Sequence, residues 1–229
     1  MRHLSAILML LISAAAVMAQ QPAKMTADSS EQAVIDDDGG RAFIITSKLK
    51  PLNELRRLRG PVISSPQQYS IFLGSDWANP LLHERQTELD TLLSSIRNQR
   101  DATKLNSLGI EDFFAATYSE EVLTLFAEGE KISDLKARAV LADLINSGSL
   151  PLTEPSTIYM IFLAPQLVST LGPLTGRKHY LAYHNFFNIA GKRLHYVVVP
   201  YEPDLETAKS IALRALVAAA ANPNGEVGN

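Results

Sequence analysis

The sequence predicts a single α/β domain in which a mixed β-sheet is packed with helices, and three observations carry that prediction. Thr157–Leu163 is a nearly continuous apolar run of strand length, the composition of a strand buried on both faces. Two β-rich runs, Tyr180–Ile189 and Leu194–Val199, flank Gly191 and Lys192 and read as a hairpin. Segments of helical period alternate with these strands, the order that covers a sheet with helices in two or three layers.

The chain opens with Met1, Arg2 and His3, then the apolar run Leu4–Ile12, and Val17, Met18 and Ala19 close the stretch. A basic start, a short apolar middle and small residues before a cut predict a signal peptide over 1–19, and hence a secreted or periplasmic protein. The stretch is too short and too Ala-rich to read as a spanning helix, so no membrane span is expected after cleavage. No cysteine follows that cut, so no lipid anchor is expected. Residues 20–59, with Ser29, Ser30, the acidic run Asp36 to Asp38, Gly39 and Gly40, read as a flexible leader. Within it, Ala42–Ile45 is a candidate edge strand, and Leu52, Leu55 and Leu58 give Pro51–Arg59 helical spacing.

The α/β domain is expected over 60–229. Val62, Ile63 and then Tyr69–Leu73, closing at Gly74, form the first core strand. Asn79 and Pro80 have the chemistry of an N-cap and first helical residue, and Leu81, Leu82, Leu89, Leu92, Leu93 and Ile96 predict one long amphipathic helix after them. Glu111–Ala116 and Glu120–Phe126 are ambiguous. Ser133 and Asp134 open a helix carrying Leu135, Ala139, Leu141 and Ile145, and Gly148 stops it. Gly172, Pro173 and Gly176 make the link after the central strand rich in turns. Pro203 and Asp204 open the last helix, whose Ile211, Leu213, Leu216 and alanines 218 to 221 predict close packing before Asn222 and Pro223.

Composition excludes more than it identifies. The chain is 46% hydrophobic and 20% charged, with net charge −3, or −4 without Arg2, when 20 basic residues face 24 acidic ones. That balance is too mild to imply nucleic acid or anionic lipid as a partner. Zero cysteines suit an exported domain large enough to do without disulfides, and exclude thiol chemistry and cysteine-bound metals.

Motif chemistry is equally sparse. His83 and Glu84 begin a His-Glu-x-x-His pattern, but Thr87 stands where the second histidine belongs, which leaves one imidazole on a solvated helix face. Gly172, Gly176, Arg177 and Lys178 lack Walker spacing, and Ser75 after Gly74 runs into Asp76 and Trp77 rather than a nucleophile elbow. His179, His184 and His195 lie in or beside the hairpin. If His184 pairs opposite Val197, it shares a sheet face with His195; opposite Val198, it does not.

The segments Gly60–Pro66, Tyr69–Trp77, the Ile132-Ser-Asp helix ending Gly148-Ser-Leu-Pro151, Ile158–Leu163, Ala182-Tyr-His-Asn185 and Tyr196–Pro200, in that order, resemble the EXORDIUM-like (phosphate-induced) family of secreted proteins. The resemblance covers roughly residues 60–224 and rests on the order of weak motifs. It implies a zincin-like fold, with a His-Glu-x-x-Glu pattern on the helix after the Val-Pro strand. Aligning Asn222-Pro223 with the end of that helix puts Arg214, Ala215 and Ala218 at the three motif positions. A guanidinium repels a dication, and methyl groups neither bind zinc nor move protons, so a pseudoenzyme is implied.

The resulting expectation is an exported, non-catalytic binding or cell-envelope interaction protein of EXORDIUM-like type. It would have no cofactor and no metal, and a ligand of the envelope or extracellular space. The candidate binding residues are Tyr183, His184, Asn185 and Trp77. One alternative is a secreted metal-dependent hydrolase using His184 and His195 with Asp76 or Glu202; another is a structural or stress-related envelope protein. Bound metal would mark the hydrolase, and an aromatic-lined concavity near Trp77 would favour binding over structure.

Overall fold

A computed structural model describes residues 31–36, 38–46, 60–92, 102–111, 114–122, 126–152 and 156–224. The expected signal peptide, the candidate helix at 51–59 and the expected helical residues Leu93 and Ile96 lie outside them. Among the described residues no helix is long and apolar enough to cross a membrane.

Among the described residues ten strands and four α-helices make an α/β fold, as the interleaved pattern predicts. The strands are β1 (Glu31–Ile35), β2 (Arg41–Ile45), β3 (Gln67–Leu73), β4 (Phe114–Val122), β5 (Lys131–Ile132), β6 (Thr157–Leu163), β7 (Val168–Leu171), β8 (Leu174–Thr175), β9 (Ala182–Ile189) and β10 (Lys192–Val199). The helices are α1 (His83–Asp90), α2 (Ala102–Ser107), α3 (Asp134–Asn146) and α4 (Leu205–Ala221). Seven strands form the main sheet in the order β1-β2-β9-β10-β6-β3-β4, and β5-β7-β8 form a small second sheet, with β7 and β8 in the link expected to be rich in turns. β10, β6, β3 and β4 run parallel, while β9, β2 and β1 continue the sheet antiparallel.

Every residue of β6 is buried, so its apolar run contributes to both sides of the core. Hairpin β9–β10 turns at Ala190 and Gly191, both at positive φ (48° and 76°), the left-handed geometry of a two-residue turn. Pairing of His184 with Val197, and of His195 with Ile158, sorts the side chains. His184, His195, Val197, Ile158 and Met160 face α4 and α1; Tyr183, Asn185, Tyr196 and Tyr159 face α3. The sheet is thus covered on both faces.

Two sequence expectations are corrected. Residues 31–35 and 41–45, read as leader with Ala42–Ile45 as a candidate edge strand, are built into the sheet: β2 lies between β1 and β9, and Ala42, Phe43, Ile44 and Ile45 are core residues. Four apolar residues outweigh the acidic run beside them once a strand edge is there to receive them. The helix expected from Leu81 onward begins later. Asn79 does accept from Leu81 N at 3.1 Å, but it caps a 3-10 turn at Pro80–Leu82, and the α-helix starts at His83. Leu81 is 86% exposed, whereas Leu89 and Leu92 pack inward. The ambiguous 111–126 region supplies the edge strand β4, paired to β3.

Helix boundaries elsewhere follow their capping chemistry. Ser133 accepts from Lys136 N at 3.2 Å at the start of α3, and Asp204 accepts from Thr207 N at 2.8 Å at the start of α4. The buried face of α4 is built largely of Ala208, Ala212, Ala215, Ala218 and Ala219 with Ile211 and Leu216, small enough to bring the helix axis close to the sheet.

Candidate binding site

The parallel strands β3, β6 and β10 end on the same side of the molecule, and a cleft lies where they end. This is the position where open α/β sheets characteristically take ligands, outside the carboxyl ends of the strands. β3 leaves through Gly74, whose φ of 115° suits glycine; a Cβ there would lie 2.7 Å from Ala164 Cβ. The following 3-10 turn, Ser75–Ala78, delivers Trp77 into the interior. Its indole Nε1 donates to Phe162 O at 3.1 Å, and its ring meets Phe72 edge-on at 5.0 Å and Tyr201 at 6.2 Å between centroids.

Arg85, on the inner face of α1, closes the cleft from the other side. Its Nη1 donates to Glu202 O at 2.5 Å and its Nη2 donates to Pro203 O, both in the segment joining β10 to α4. Its guanidinium carbon stands 4.9 Å from the centroid of the Tyr201 ring. The space there is small, about 10 Å³, and is walled mainly by Trp77, Leu89, Phe162, Val199 and Tyr201, with Arg85 and Glu202 as its charged groups. Arg85 is only 8% exposed.

The densest polar cluster lies elsewhere, under α3. The Arg138 guanidinium meets Asp36 Oδ2 and Asp38 Oδ2 at 2.5 Å and Asp134 Oδ2 at 2.6 Å. Tyr196 donates its hydroxyl to Asp134 Oδ1 at 2.6 Å and accepts from Arg138 Nε at 2.9 Å, while Asn185 Nδ2 donates to Asp36 Oδ2 at 3.0 Å. Burial pushes the Asp134 carboxyl above the usual range, against the opposing pull of the Tyr196 hydroxyl and of Arg138. Burial likewise raises the Tyr183 and Tyr196 hydroxyls well above the usual tyrosine value, with the Asp134 charge adding to it. One guanidinium thus holds three carboxylates, joining the β1–β2 turn to α3 and, through Asn185 and Tyr196, to the sheet. This is the chemistry of a clamp.

The sequence-predicted residues are scattered. Tyr183, His184 and Asn185 are all buried, so they make no surface site, and strand alternation sends His184 to the face opposite the other two. Trp77 has Phe72 and Tyr201 as ring neighbours, Tyr183 has Tyr180 and Tyr196, and no contact joins the two groups. His184 and His195 do share a face. His184 Nε2, however, lies 2.8 Å from Glu31 Oε1 with its ring stacked on Phe43, whereas His195 packs against Phe186. His179 accepts from Thr175 N in its own tight turn. Among the described residues no group of three or more histidine, aspartate or glutamate side chains is placed to hold a metal. His83 and Glu84 are exposed, as a solvated helix face requires. Arg214, free on sequence grounds to reach the surface or pair with Glu206, is instead buried, and Glu206 pairs with Lys209.

Of the four candidates only Trp77 borders the cleft. Arg85 carries no local signal, because its partners Glu202 and Pro203 lie 117 and 118 residues away and its own neighbours look like any polar helix. No family model, curated protein or solved structure matches the chain.

Proposed function

We propose that this is an exported, non-catalytic binding protein that takes a small ligand at the carboxyl ends of β3, β6 and β10. The observation that carries the proposal is the aromatic-walled cleft beside Trp77, with a stacked arginine at its mouth. Apolar walls with a few fixed polar groups are the general make-up of small-molecule sites. The α4 helix supports the non-catalytic part of the reading. At the positions that the EXORDIUM-like resemblance assigns to a His-Glu-x-x-Glu motif stand Arg214, Ala215 and Ala218, all turned into the core. Export rests on the basic-then-apolar N-terminal segment alone.

The experiment is elemental analysis of the purified mature protein after zinc loading and desalting, with a His184→Ala, His195→Ala double variant alongside. The expected result is no stoichiometric zinc in either sample. One equivalent retained by the wild type and lost in the variant would overturn the reading in favour of a metal-dependent hydrolase.

A further inference from the structure

An asparagine side chain can be attacked by the main-chain nitrogen of the residue that follows it, provided that nitrogen is uncrowded and can turn toward the amide carbon. Glycine meets both conditions best, because it carries no Cβ and its backbone turns freely. Asn224-Gly225 is the only Asn-Gly pair in the chain. The two Asn-Ser pairs, the next least crowded, stand in helices. Asn106 lies in α2, and Asn146 is the last residue of α3, where Ser147 N donates to Asp143 O at 2.9 Å. In a helix the side chain tilts toward the N-terminus, away from the nitrogen that follows.

Asn224 lies just beyond α4, half-buried, in a short segment pinned to the β9–β10 hairpin. Asn222 N donates to Ala218 O at 2.9 Å, His195 hydrogen-bonds the backbone of Pro223, and Arg193 Nη1 donates to Asn224 Oδ1 at 2.6 Å. The Arg193 guanidinium carbon is itself seated 4.5 Å from the centroid of the Phe186 ring. A cation is thus fixed on the carbonyl oxygen of the amide that precedes a glycine. That oxygen takes up negative charge when the amide carbon becomes tetrahedral, and a charged donor already aimed at it stabilises that charge.

We propose that Asn224 is a site of self-modification, converted to aspartate and isoaspartate through a cyclic imide with Gly225, and that Arg193 promotes the ring closure. The Gly225 nitrogen bonds to Asn224 Cγ and gives up its proton; the bond from Cγ to the amide nitrogen breaks, and ammonia leaves with that proton. Water then adds to one of the two imide carbonyls. Opening at Cγ gives aspartate, and opening at the main-chain carbonyl gives isoaspartate, in which the chain runs through the former side chain. In the aspartate form a carboxylate replaces the amide that Arg193 holds, so a hydrogen bond to a neutral group becomes an ion pair. In the isoaspartate form the main chain is longer by a methylene at the pinned segment.

The test ages the full mature protein in neutral buffer, maps its peptides by mass spectrometry and reads isoaspartate by enzymatic methylation. The expected result is an amide-to-acid mass gain and isoaspartate at residue 224, with Asn106 and Asn146 intact over the same time. Gly225→Pro, which has no nitrogen proton to lose, is expected to abolish isoaspartate at 224. Arg193→Met is expected to slow its appearance by roughly fivefold, the worth of one net hydrogen bond. An Asn224 that stays intact in the wild type, or that changes no faster than Asn106 and Asn146, would overturn the site. Modification of Arg193→Met as fast as the wild type would overturn the part given to Arg193. Arg193 is exposed, so its substitution leaves the core untouched, and the wild-type comparison of the three asparagines needs no variant.

Discussion

At the residue scale, the histidines show how burial converts a familiar reactive group into a structural one. His195 has its ring against Phe186 and a hydrogen bond to the backbone of Pro223, and burial, followed by repulsion from Arg193 and His184, lowers its pKa to about 4. A histidine that protonates near 6.5 when unfolded but near 4 when folded binds more protons in the unfolded state between those values. Its stabilising contribution is therefore complete above pH 6.5 and is lost as the pH falls toward 4, by as much as about 3 kcal/mol at 1.36 kcal/mol per pKa unit. Denaturant unfolding between pH 4 and 7.5 should show this slope in the wild type and a clearly shallower one in His195→Gln; equal slopes would refute it. Arg138 is a different case. With three carboxylates around one guanidinium, deleting the cation would strand buried anions, which makes Arg138 costlier to lose than any exposed ion pair on the surface.

At the scale of elements, α4 is set by the smallness of its inner side chains. Ala215 is fully buried and Ala218 nearly so, which leaves no room for the longer groups a metal-binding helix would carry. Ala215→Leu should cost about 1–3 kcal/mol by overpacking, and Ala215→Glu more, since it buries an unpaired carboxylate. Chemical denaturation of both variants checks the order, and an Ala215→Glu protein as stable as the wild type would refute the packing. Elements like this were legible in the sequence because their signals are local. The apolar run of β6, the caps Ser133 and Asp204, and the β9–β10 hairpin, read around Gly191 and Lys192 and turning one residue earlier at Ala190 and Gly191, each act within a few residues. The misreadings share the opposite property. Whether Arg41–Ile45 is a leader or an inner strand depends on β9, some 140 residues on, and Leu81 looks like a helix-face residue until the 3-10 turn points it outward. The candidate site was poorly legible for the same reason: strand alternation broke up Tyr183, His184 and Asn185, and Arg85 acquires its meaning only from the far end of the chain.

At the scale of the whole molecule, stability should be graded across the sheet. β6 is flanked by β10 and β3 and buried along its full length, whereas β1 pairs with β2 on one side and exposes Ala33 and Ile35. Native-state hydrogen exchange should therefore find the β6 amides opening only with global unfolding and the β1 amides through smaller, local openings. β1 protection equal to that of β6 would contradict the order of the strands. The Arg138 clamp sets the limit of that local opening, since it fastens the β1–β2 turn to α3.

The position of the β1–β2 hairpin also governs when the protein can finish folding. Among the described strands these are made first, yet the strand of the main sheet that receives them is β9, made some 140 residues later. A polypeptide emerging N-terminus first therefore carries an apolar hairpin with nowhere to dock until residues 182–199 arrive. Completion of the main sheet is thereby postponed until residue 199 has been made, so the hairpin waits through the synthesis of every strand between.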